Sequence, residues 1–195
     1  MRRALFTATT ATALLFALKA VAGPFGIEMG IQADTLGVTQ EKAGGIIHIS
    51  PPSDAHPLFD SYTVIAPKET GVCKVQATTP EIPTNVYGDG IKSQFQEIRS
   101  SLDEIYGKGK NYDFLRRGSI WNEHKDWMMG LLKKERELTS YWSKETKSRM
   151  KDNIVGVTLE AFALGPDSGM IIIRYEFSNF PECIKVLKSK SKGKL

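Results

Sequence analysis

The sequence predicts an α+β fold: an antiparallel sheet built from hairpins, with two central helices packed on one face. Three observations point there. Residues 87–107 carry one apolar stripe of helical period. Residues 155–163 and 171–177 both alternate and flank a Gly-Pro-Asp-Ser-Gly turn. The strand-like segments lie before and after the helical ones, so strand and helix do not alternate one by one. That order argues against a doubly wound nucleotide-binding sheet.

The chain opens with Arg2-Arg3, a stretch of apolar and small residues free of acids, and Ala20-Val21-Ala22 before Gly23. This is the layout of a cleaved signal peptide over residues 1–22. Lys19 interrupts the stretch, which falls short of the roughly twenty apolar residues a membrane span needs, so no transmembrane anchor is expected after cleavage. The expected location is the periplasm or the medium. Cleavage also changes the charge argument. Arg2, Arg3 and Lys19 leave with the signal, bringing 26 cations down to 23 against 22 acids. A near-neutral mature chain gives no electrostatic footprint for nucleic acid.

Residues 23–184 fit one domain. Within it, residues 25–29 suggest a short strand and residues 32–36 a helical turn. Residues 45–50 are strand-like and stop at Pro51-Pro52. Residues 61–66 and 72–78 form a hairpin pattern in which Cys73, Val75 and Ala77 share one face while Lys74 and Gln76 share the other. In the central helix Ile91, Phe95, Ile98, Leu102 and Ile105 form the stripe, Asp89 is the expected N-cap and Gly107 the C′ residue. Residues 108–118 read as a polar loop pinned by Tyr112, Phe114 and Leu115. A second helix is expected over residues 122–134, a short strand over 138–142, and a charged loop over 143–153. A short helix over 179–187 carries Cys183. Residues 185–195 read as a frayed, lysine-rich tail.

Cys73 and Cys183 are the only cysteines. Two cysteines in an oxidising compartment predict one disulfide, and their spacing excludes a CxxC redox motif.

Several pieces carry a resemblance: Phe25-Gly26-Ile27-Glu28-Met29-Gly30, His56-Pro57-Leu58-Phe59, Tyr87-Gly88, Tyr106-Gly107, Tyr112-Asp113-Phe114-Leu115, Ser119-Ile120-Trp121-Asn122-Glu123, Asp126-Trp127 and Tyr175-Glu176-Phe177. Together they make most of the mature chain resemble a group of small exported bacterial proteins of unassigned function. The resemblance implies an exported domain and supplies no catalytic residue, cofactor or partner.

No cofactor is expected, since neither a GxGxxG fingerprint nor a phosphate-loop lysine is present. His48, His56 and His124 are the only histidines; without HExxH or paired-cysteine spacing, no metal site is expected from them. His124 with Glu123 or Asp126 lies within one helical turn and offers general acid–base chemistry. The same charges also suit an ordinary helix N-terminus. Trp121, Trp127 and Trp142 are interaction candidates, because aromatics dominate binding hot spots, and equally candidates for the core. The preferred reading is a non-enzymatic binding or interaction module of the bacterial envelope, its partner an envelope protein or cell-envelope component. The alternative is a small periplasmic hydrolase using His124 with Glu123 or Asp126.

Overall fold

The computed structural model describes residues 23–42 and 45–192; the expected signal peptide at 1–22 lies outside the described residues. The fold is mixed α+β, with nine antiparallel strands and three α-helices among those residues. The strands are β1 (Val38–Lys42), β2 (Ile46–Ile49), β3 (Ser61–Ile65), β4 (Lys74–Thr78), β5 (Ile82–Pro83), β6 (Lys110–Leu115), β7 (Arg136–Ser143), β8 (Ile154–Ala163) and β9 (Ser168–Phe177). Their spatial order is β1-β2-β3-β4-β9-β8-β7-β6, with the short β5 also on β9. No helix among the described residues is long and apolar enough to cross a membrane.

Alternation decides which side chains meet. Val64 stands opposite Val75, Val75 opposite Tyr175, Tyr175 opposite Val157, and Val157 opposite Trp142. All five are buried, and one period along the strands Tyr62, Ala77, Ile173 and Leu159 make a second buried row. This inward face joins the buried stripe of α1 (Asp89–Tyr106) in one core. At about 1.5–3 kcal/mol per fully buried large apolar side chain, these rows dominate the gain on folding. Helix α1 contacts β5, β8 and β9, and α2 (Trp127–Leu132) contacts β7 and β8.

Trp142 ties the C-terminal end of α1 to the sheet. Its ring is fully buried, and its Nε1–H donates to Asp103 Oδ1 at 2.9 Å and to the Gly107 carbonyl at 3.0 Å. A buried indole N–H needs such a partner, and here it has two. Helix α3 (Phe180–Lys192) is bound to the residue preceding β4 through the Cys73–Cys183 disulfide, Cα to Cα 6.5 Å.

The structure departs from the sequence expectations at the ends and edges of elements. Residues 24–26 form a 3-10 turn where a strand was expected, with Phe25 at φ 58°. Its ring sits edge-on to Phe59, Tyr62 and Tyr175, and that packing outweighs the local strand pattern. The N-cap of α1 is Gly88, one residue earlier than Asp89, because the carboxylate of Asp89 accepts from Asn85 instead. Ile105 is 46 % exposed and Tyr106 takes its place in the core, four residues after Leu102. The second helix covers only residues 127–132. Residues 124–126 form a 3-10 turn, and β7 takes over from Arg136. The expected loop at 108–118 contains β6, and β1 was not foreseen at all.

Candidate functional site

The outward face of the sheet is built from the other phase of the same strands. His48 stands opposite Thr63, Thr63 opposite Gln76, Gln76 opposite Arg174, Arg174 opposite Thr158, and Thr158 opposite Tyr141. One period away, Ile46, Ile65, Lys74 and Glu176 form a parallel row. Because side chains alternate, burying Val75, Ile173 and Tyr175 inward obliges Lys74, Gln76, Arg174 and Glu176 to point outward. An antiparallel sheet accepts that division between a packed face and a wet one.

On this face lies a cleft of about 410 Å³. Lys42, Lys74 and Arg174 supply its charge, His48, Thr63 and Gln76 its polar lining, and Ile46 and Ile65 an apolar wall. Arg174 is held from three sides. Its Nε–H donates to Gln76 Oε1 at 3.0 Å, its Nη1 donates to Glu160 Oε2 at 2.6 Å, and its guanidinium lies 5.7 Å from the centre of the Phe162 ring. Lys74 Nζ donates to Glu176 Oε1 at 2.7 Å and sits 5.0 Å over Phe180. The Lys42 ammonium, the His48 ring and the Thr63 hydroxyl have no hydrogen-bond partner among the described residues. Thr63 is nonetheless only 8 % exposed. This arrangement can hold a ligand rich in hydrogen-bond acceptors. Thr63 and His48 stand opposite each other across β2 and β3, and among the described residues no hydrogen bond joins the Thr63 hydroxyl to the His48 ring.

A larger groove, about 840 Å³, lies beside β1 and α3. Its walls mix Asp34 and Glu41 with Lys42, Lys68 and Lys190, and its floor includes Val38, Ile47 and Leu187. Lys190 there is paired with Glu69 at 2.9 Å, and that hydrogen bond pulls the Glu69 carboxyl below its ordinary range. The mixed charge of this groove selects no ligand class.

The residues singled out by sequence are dispersed. His124 is exposed on the turn before α2, with its ring 5.0 Å from that of Tyr87. Glu123 pairs with Lys125 at 2.8 Å, and the hydrogen bond lowers the carboxyl pKa and raises that of the lysine. Asp126 accepts the Glu123 N–H at 3.3 Å, a capping arrangement. Both carboxylates beside His124 are therefore already engaged, and none of the three side chains lines either cleft. His56 Nδ1 accepts the Leu58 N–H at 3.3 Å, and His48 lies on β2. Among the described residues no three His, Cys, Asp or Glu side chains gather as metal ligands.

Trp127 is 4 % exposed and lies under Lys92, whose ammonium is 4.3 Å from the ring centre; burial lowers the pKa of that lysine. Trp121 is half-buried against Gly130, next to the exposed Ile120, and Trp142 belongs to the core. Cys73 and Cys183, the predicted pair, are bonded and fully buried.

Apart from His48, the outward cleft was not anticipated. Its signal was present in the polar phases of residues 74–76 and 174–176. Nothing local shows that β4 and β9, about a hundred residues apart, lie side by side. No family model, no curated protein and no solved structure matches the chain.

Proposed function

We propose that this chain is an exported binding module of the bacterial envelope that recognises an envelope protein or cell-envelope component without catalysing a reaction. The observation that carries this reading is the outward cleft, where side chains from neighbouring strands converge while several polar groups lack hydrogen-bond partners among the described residues. Binding asks for such a preorganised surface; catalysis asks in addition for a base, a nucleophile or a polarising group in reach of one another. In this reading residues 1–22 are the signal peptide, the mature protein starts at Gly23, and the disulfide forms in the periplasm or the medium. The two central helices close one face of a hairpin-built sheet and leave the other to the ligand. Kinship with small exported bacterial proteins of unassigned function belongs to the same proposal. The hydrolase alternative has less support, because Glu123 and Asp126 are engaged elsewhere.

Retention of purified protein on isolated envelope fractions, with crosslinking, tests the reading. Saturable retention, together with no turnover in a hydrolase screen, is the expected result. Absence of retention, combined with turnover abolished by His124→Ala, would reverse it.

A further inference from the structure

We infer that the outward cleft is a site for a small oxyanion, a carboxylate or phosphate group carried on a solute with an apolar edge. This rests on the binding reading above and adds the class of ligand. The His48 ring and the Thr63 hydroxyl can both donate and accept, and the rest of the hydrogen-bond inventory of the cleft is weighted toward donors. Gln76 spends its carbonyl on Arg174, which leaves its amide N–H groups as donors. Arg174 commits Nε and Nη1 and keeps Nη2 uncommitted. Thr63 and Lys42 add a hydroxyl and an ammonium that have no hydrogen-bond partner among the described residues. The two neighbouring carboxylates, Glu160 and Glu176, are each already the acceptor of an ion pair. Three cations against two acids leave one positive charge in excess.

The complement of spare donors and a positive excess is an oxygen-rich anion. Thr63 stands at the centre of the cleft floor. The residue is 8 % exposed and its hydroxyl still meets solvent in the cleft, so an incoming acceptor replaces water there. Arg174 is fixed by Gln76, Glu160 and Phe162 before any ligand arrives, so little ordering is left for binding to accomplish. Ile46 and Ile65 give the rest of the solute an apolar wall.

An amide-shift titration by NMR tests this, using the mature protein with inorganic phosphate, glycerol phosphate, glucuronate and, at matched ionic strength, sodium chloride. Saturable shifts confined to β2, β3, β4 and β9 are expected with the oxyanions and not with chloride. The phosphate and glucuronate arms identify which anion is preferred. Thr63→Val keeps shape and charge and should weaken binding about tenfold, the loss of one hydrogen bond to a charged group. Lys42→Gln, on an exposed edge strand where folding is not at stake, should weaken it too. Lys108→Gln, the same charge loss outside the cleft, should not. No saturable shift with any probe, or equal weakening by Lys108→Gln, overturns the site. Envelope retention without oxyanion shifts overturns this inference and leaves the binding module standing; oxyanion shifts without retention support the site and count against the envelope reading.

Discussion

Opening the Cys73–Cys183 bond is expected to cost the protein a large part of its stability. The bond joins positions 110 residues apart. Loop entropy for a closure of that size amounts to about 5 kcal/mol, and removing a native disulfide from an exported domain generally costs about 2–5 kcal/mol. A total stability of about 5–15 kcal/mol makes that a decisive fraction. At about 2–4 °C per kcal/mol for a domain of this size, the melting temperature should fall by about 5–20 °C. Calorimetry of the protein with and without reductant reads the effect. Both sulfurs are fully buried, so a Cys73→Ala, Cys183→Ala double variant separates the cross-link from the packing of the thiols. Equal unfolding midpoints for oxidised and reduced protein would refute the reasoning. So would two freely alkylatable thiols in protein isolated from its native host.

Three further outcomes follow from the core. Trp142→Phe strips Asp103 and the Gly107 carbonyl of their shared donor inside the core and should cost about 2–4 kcal/mol in urea unfolding. Gly88→Ala should cost at least about 1–2 kcal/mol in the same assay, because its φ of 76° disfavours a side chain and a Cβ there would meet the Trp127 ring. Alkali should destabilise the fold: burial raises Tyr106 from 10.0 to about 12, so between those values the unfolded chain releases its phenolic proton before the native one does. Stability is then complete below about pH 10 and declines by about 2–3 kcal/mol towards pH 12, and Tyr106→Phe should flatten the slope of midpoint against pH.

What the sequence made legible follows from where burial is one-sided. Helix α1 was readable because Ile91, Phe95, Ile98 and Leu102 bury one stripe while its other faces stay polar. Strands β8 and β9 were readable because alternate residues are buried along most of their length. The two edge strands were not. Val38–Lys42 is exposed throughout, and Lys110–Leu115 buries no residue fully, so neither carries an alternating pattern; their strand character comes from pairing with β2 and β7. Charges on both edges, Glu41 and Lys42 on one and Lys110 and Asp113 on the other, are the features that keep such edges from recruiting another chain. The second helix is shorter than its pattern suggests because Trp121 and His124 fit the helical period, while the Glu123–Asp126 capping box opens a 3-10 turn over residues 124–126 and the α-helix begins at Trp127. The cleft needed the sheet order. Thr63, Gln76 and Arg174 become neighbours only when β3, β4 and β9 pair, and sequence spacing does not encode that.

Hydrogen exchange of the mature protein bound to isolated envelope fractions, read segment by segment against the free protein, tests the central claim most directly. The account predicts new protection in residues 46–49, 61–65, 74–78 and 172–176, the strands that floor the outward cleft. Protection confined to residues 84–88 and 119–127, around His124 and Trp121, or no change anywhere, would contradict it.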